Sequence, residues 1–188
     1  QGRGADDPGG VKMEERLYFA YGSNINLDQM AHRCPAAQVV GPVLLDGYKL
    51  LFRGNSRGNG VATIAPHKGR KVYGLLWKIT PECEQALDIY EGFPRLYDKQ
   101  DVTVQGKDGR EFTVMAYVMT DLWREPSVPS SYYYNGILEG YQQNGLPAAS
   151  LKRAWEHSVK EVHAATKQVN SLFSQPSRPP KRRGGQER

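Results

Sequence analysis

Residues Leu17-Tyr18-Phe19-Ala20-Tyr21-Gly22-Ser23-Asn24 form a short apolar run that breaks at a glycine and at once meets residues suited to capping a helix. The pattern predicts a strand, a tight turn and a helix start. Such a junction aims several main-chain N–H groups at one small volume, where the positive end of the following helix favours an anion or an oxyanion. The same residues also read simply as a turn that ends a strand, because Gly, Ser and Asn are ordinary turn formers. Local chemistry leaves both readings open.

Downstream, residues 26–32 predict a short helix closed near Cys34-Pro35, since the residue before a proline is biased away from helical geometry. Residues 38–40, 43–52, 61–65 and 71–79 are rich in β-branched, aromatic and aliphatic side chains, and glycines separate some of them, so consecutive strands are expected. Thr80 and Pro81 are an N-cap and a first helical position, and Cys83, Ala86, Leu87 and Tyr90 follow at helical spacing until Gly92 and Pro94 stop the helix. Residues 101–105 and 111–119 flank Gly106-Lys107-Asp108-Gly109, a hairpin composition. Two more helices, about 130–143 and 147–165, are joined by Asn144-Gly145-Leu146-Pro147.

Length bounds the architecture: 188 residues hold one well-filled core. Residues 1–13 are set aside as a polar, glycine-rich leader with Met13 a candidate start, 14–172 as the domain, and 173–188 as a disordered basic tail. Of the net charge of +5, the tail supplies +4, from Arg178, Lys181, Arg182, Arg183 and Arg188 against Glu187. The domain is therefore nearly neutral and has no global field for nucleic acid; any polyanion contact is confined to the tail. No run is apolar for long enough to span a bilayer. Cys34 and Cys83 lie far apart without metal-ligand spacing, so free thiols in a reducing, cytoplasmic setting are expected.

Several chemistries lack their parts. There is no Walker-type phosphate loop, His-Glu-x-x-His pair, Cys-x-x-Cys pair or Gly-x-Ser-x-Gly elbow, and His32, His67, His157 and His163 have no completing partners, so no metal is expected. Glu91 stands out because it ends a predicted helix, after the apolar stripe and before Gly92. The negative helix end and partial burial both disfavour a carboxylate there and raise its proton affinity toward the range of a general acid or base. An ordinary surface glutamate is the plainer reading. Asp88, one turn earlier, is expected on the exposed face.

The motifs Tyr18-Phe19-Ala20-Tyr21-Gly22-Ser23-Asn24, Leu87-Asp88-Ile89-Tyr90-Glu91-Gly92 followed by Tyr97, Pro129-Ser130-Ser131-Tyr132-Tyr133, and Asn144-Gly145-Leu146-Pro147 occur in that order. Together they resemble the γ-glutamylcyclotransferase family (the γ-glutamylcyclotransferase-like, AIG2-like superfamily) over residues 17–155. The resemblance implies an α+β fold, a small mixed, barrel-like β-sheet with flanking helices and a pocket at its rim. It further implies cleavage of a small-molecule γ-glutamyl amide to 5-oxoproline and a free amine, with no cofactor. Carried over, Tyr21, Gly22, Ser23 and Asn24 bind the γ-glutamyl group, Glu91 is the catalytic acid/base, and Tyr133 lines the pocket, with Tyr132 or Tyr134 as alternatives. The competing reading is a non-catalytic relative that keeps the pocket as a metabolite-binding or regulatory module. The leaving amine and the oligomeric state stay open; the loops 53–60 and 123–134 are expected to shape the leaving-group side.

Overall fold

A computed structural model of the chain describes residues 14–121 and 125–174. Five strands among them close into a barrel: β1 (Arg16–Ala20), β2 (Gln38–Gly54), β3 (Gly60–Ile79), β4 (Tyr97–Gly106) and β5 (Glu111–Met119), in the spatial order β1-β3-β2-β4-β5. Neighbours pair antiparallel except at the seam, where β1 meets β5 in parallel through Tyr18 and Met115. Four helices, α1 (Leu27–Arg33), α2 (Pro81–Glu91), α3 (Ser131–Gln143) and α4 (Ala148–Phe173), complete the mixed α+β fold. The expected fold class is the observed one.

Two expectations about extent change most; β4 also starts earlier than expected, at Tyr97 and not at residue 101. The four segments expected between residues 38 and 79 fuse into β2 and β3, which stay paired from Gln38↔Lys78 to Gly54↔Gly60. Register shifts between Val39 and Gly41 and between Asp46 and Tyr48 absorb what read as breaks, because a bulge bends a strand without ending its ladder. The second is α4, which runs to Phe173 and not to about residue 165. Its buried residues, Leu151, Ala154 and Ser158, all lie in its first half. Beyond them it continues through exposed Ala, Lys and Gln with good helix propensity, after the apolar period has faded. The leader 1–13, Trp123 and the basic stretch 175–188 lie outside the described residues.

Phe19, Phe52, Leu75 and Val104 are fully buried in the core, and along much of β1 and β3 consecutive residues are buried, not only alternate ones. The chain leaves the end of β1 at Ala20, and it is this exit, at the barrel rim, that positions the site.

Candidate active site

Past Ala20 the backbone forms a single 3-10 turn, Ser23–Ile25, and only then α1. The α1 N-cap is Asn26, whose side-chain oxygen accepts from Gln29 N at 3.0 Å. The turn after Gly22 is therefore separate from the helix, a distinction that the run of capping residues hid. Its own bonds, Ile25 N to Gly22 O and Asn26 N to Ser23 O, both 3.1 Å, begin after the N–H groups of Gly22, Ser23 and Asn24. The turn is held from three sides. Trp77 on β3 donates its indole N–H to Asn24 O at 2.9 Å. From α3 and its end, Gly136 O accepts from Asn26 Nδ2 at 2.9 Å and Asn144 Nδ2 donates to Ile25 O at 3.0 Å. Gly140 lets the two backbones meet, since a Cβ there would lie 2.7 Å from Asn26 N.

Glu91 arrives on α2. Thr80 opens that helix by accepting from Cys83 N at 3.2 Å, Pro81 follows, and Gly92 closes it in the left-handed region at φ 66°. The last helical residue then faces the turn: Asn24 Nδ2 donates to Glu91 Oε1 at 3.1 Å and to the Tyr18 hydroxyl at 3.0 Å. The second Glu91 oxygen takes no hydrogen bond among the described residues. Tyr21, Gly22, Ser23, Asn24, Glu91 and Tyr133 all line one cavity of about 180 Å³.

Of the three adjacent tyrosines, Tyr133 is the one at the cavity; its hydroxyl accepts from Ala62 N at 3.0 Å. Tyr132 is exposed, and the Tyr134 ring lies 6.3 Å from that of Trp155. Tyr21 donates its hydroxyl to Tyr117 O on β5. Tyr18, Tyr90, Tyr97, Tyr117 and Asn55 also line the cavity and were not singled out as site residues from sequence. The strand period marks Tyr18 and Tyr117 only as partners across the barrel; nothing local says that their hydroxyls reach the rim. Tyr97 does more than fill space, donating to Ala62 O at 2.6 Å and so gripping, with Tyr133, both polar groups of one β3 residue.

Enclosure raises the Glu91 carboxyl from an ordinary 4.5 to about 7, against the opposing pull of the Arg33 cation and the Asn24 N–H. The same enclosure, with the Glu91 charge next, holds the hydroxyls of Tyr18 and Tyr21 well above the usual phenol range, so they stay neutral donors. Asp88 departs from expectation. It is half-buried, accepts from Tyr117 at 2.6 Å and bonds Lys99 Nζ at 2.9 Å, because the α2 flank rests on β4 and β5 and does not face water. The loop 53–60 contributes Asn55 to the cavity, whereas Arg53 turns away to grip Glu161 on α4 in a fork of 2.9 and 3.0 Å. Cys34 and Cys83 are both free and buried, and burial pushes the Cys34 thiol up to about 12, where it is an inert core residue.

A closed barrel whose rim sets one proton-retaining carboxyl beside a tight main-chain turn, over a hollow of small-molecule size, defines a class of small-molecule enzyme. Residues 18–135 match the family described as gamma-glutamyl cyclotransferase, AIG2-like. The chain is 36% identical over 152 residues to a gamma-glutamylcyclotransferase of Homo sapiens, covering 77% of this chain and 79% of that protein. It is 35% identical over 158 residues to one of Bos taurus, covering 80% and 82%. A solved structure of a gamma-glutamyl cyclotransferase superposes with a TM-score of 0.68 at 32% identity, covering 75% of this chain and 86% of the other. The chain belongs to the γ-glutamyl cyclotransferase, AIG2-like family and is an enzyme of the cyclotransferase kind. No helix among the described residues is long and apolar enough to cross a membrane.

Proposed function

We propose that the enzyme cleaves γ-glutamyl amides by intramolecular attack of the substrate's α-amine on its own γ-carbonyl, releasing 5-oxoproline and a free amine, with Glu91 as the general acid/base. The observation that carries this reading is the Glu91 carboxyl, held near neutrality, with one oxygen unpartnered among the described residues, in the lining of the same cavity that the Gly22–Asn24 turn walls. A substrate that brings its own nucleophile needs no Ser or Cys from the protein. Bending the chain so that amine and carbonyl meet exploits an effective concentration worth roughly 7–11 kcal/mol in well-oriented cases.

The proton balance suits one carboxylate. The α-ammonium gives a proton to Glu91, and the freed amine forms the new C–N bond. The old C–N bond breaks as Glu91 hands the proton to the departing nitrogen. Over the full reaction two protons pass from the α-nitrogen to the leaving amine, which departs protonated, and Glu91 serves both transfers. As the carbonyl becomes tetrahedral its oxygen gains charge, for which the N–H groups of Gly22, Ser23 and Asn24 are donors; the same donors suit the substrate's α-carboxylate. Tyr21 and Tyr133 close the cavity around the glutamyl chain. The two buried free thiols agree with a reducing, cytoplasmic setting.

The test is direct. Wild-type enzyme incubated with a panel of γ-glutamyl amides should release one 5-oxoproline per amine, and the panel identifies the leaving group. Glu91→Gln should fold but lose at least about 10²-fold in turnover. Near-normal 5-oxoproline release by that variant removes Glu91 from the role.

A further inference from the structure

Arg33, the last residue of α1, is absent from the cavity lining yet spends Nη1 on two of the residues that form it. Its Nη1 donates to Asn24 Oδ1 at 2.7 Å and to Ser23 Oγ at 3.2 Å, and its Nη2 donates to Gln29 Oε1 at 2.9 Å. The guanidinium carbon sits 3.8 Å above the centre of the Tyr90 ring, and the Tyr90 hydroxyl in turn meets Ser23 Oγ at 3.2 Å. Every donor named here goes to a neutral oxygen. An arginine half-buried in a wall of neutral acceptors, beside an enclosed carboxyl, has a task other than pairing with surface charge.

That task follows from the symmetry of an amide. The two ends of an Asn side chain are nearly the same size, so packing does not choose between them; hydrogen bonds do. Asn24 is buried, and its Nδ2 serves both the Glu91 carboxylate and the Tyr18 hydroxyl. Turned over, it would set Oδ1 against a carboxylate oxygen, lone pair to lone pair. Arg33 forbids the turned form, because a guanidinium only donates and so demands the oxygen end.

We propose that Arg33 is a positioning residue for the reaction, locking the Asn24 amide with its N–H₂ toward Glu91 and presenting the cation that balances that carboxylate from outside the pocket. The phenols that face Glu91, namely Tyr18 and Tyr21 from β1 and the segment after it, Tyr97 from β4, Tyr117 from β5 and Tyr133 from α3, all remain neutral. On the outer flank of α2, Lys99 and Asp88 are occupied with each other and with Glu84 and Tyr117. The cation acting on Glu91 is Arg33.

The inference rests on Glu91 being the acid/base, and the experiment keeps the two apart. We would measure kcat and KM against pH for wild type, Arg33→Lys, Arg33→Gln and Glu91→Gln, using a γ-glutamyl amide that the wild type turns over. Arg33→Gln should move the acidic limb of kcat/KM upward by about one pH unit, so that activity lost at neutral pH partly returns in alkali. Arg33→Lys keeps the charge but lacks the planar fork whose two nitrogens span Asn24, Ser23 and Gln29, so its limb should stay at the wild-type pH. Its plateau kcat should fall about tenfold with KM nearly unchanged. A wild-type plateau in Arg33→Lys overturns the positioning role, and so does an unmoved limb in folded Arg33→Gln. Should Arg33→Gln not fold, the Arg33→Lys plateau decides alone. Activity retained by Glu91→Gln sinks the acid/base reading itself, whatever the Arg33 variants do.

Discussion

At the scale of single residues, Glu91 trades stability for chemistry. Its carboxyl titrates near 4.5 in an unfolded chain and near 7 in the native one, so the folded state holds the proton more tightly. The associated stability is full below pH 4.5 and is lost as the pH climbs through about 7, because the native enclosure must then hold a charge. Glu91→Gln never acquires that charge. Its unfolding free energy from urea titration should match the wild type near pH 4.5 and exceed it at about pH 8 by about 1–3 kcal/mol. Equal free energies at both pH values would show that the carboxyl is not enclosed as described. The catalytic counterpart has the same origin: kcat/KM should rise with pH through about 7 as Glu91 becomes a competent base.

The elements of the fold matter to the site through how closely they approach. The turn that follows β1 is too short to hold its own shape, and α3 supplies the support, with Gly140 over Asn26 and Asn144 reaching Ile25. A methyl group at Gly140 would fall 2.7 Å from Asn26 N and 2.9 Å from Ile25 C, and both contacts are backbone, which cannot swing aside. Gly140→Ala should therefore destabilise the protein by about 1–3 kcal/mol despite the better helix propensity of alanine. It should also raise KM, since the turn must shift to make room. A thermal midpoint at or above that of the wild type would mean that α3 does not brace the turn. The helix starts and stops were legible because caps are local: Thr80-Pro81 and Gly92 mark α2 in the sequence and in the structure. The bulges that carry β2 and β3 through their irregular stretches were not, because a bulge is defined by the partner strand.

Over the whole molecule, closure of the barrel brings the end of β1, the end of α2 and the start of α3 to one rim, although they are separated by dozens of residues. The charge is distributed with equal purpose: five cations and one anion beyond residue 175 account for +4 of the net +5. These residues follow a helix whose last turns are exposed. Removing residues 175–188 should leave the thermal midpoint and the kcat/KM for a γ-glutamyl amide at wild-type values, while abolishing any salt-sensitive retention on an anionic polymer. A fall in kcat/KM after that truncation would tie the tail to the site.

The sequence by itself determined the local grammar: which residues cap, which alternate, where an acidic residue ends a helix, and an order of motifs that names a family. These are properties of neighbours along the chain, and 3.6-residue and 2-residue periods express them directly. Tertiary structure alone decided that Tyr133 and not Tyr132 or Tyr134 meets the cavity, that Asp88 is committed to Lys99 and Tyr117, and that Arg33 stands behind Asn24. Each of those depends on a contact between segments remote in sequence. A side chain's proton affinity and direction are set by what surrounds it in space, and no single stretch of the chain contains its own surroundings.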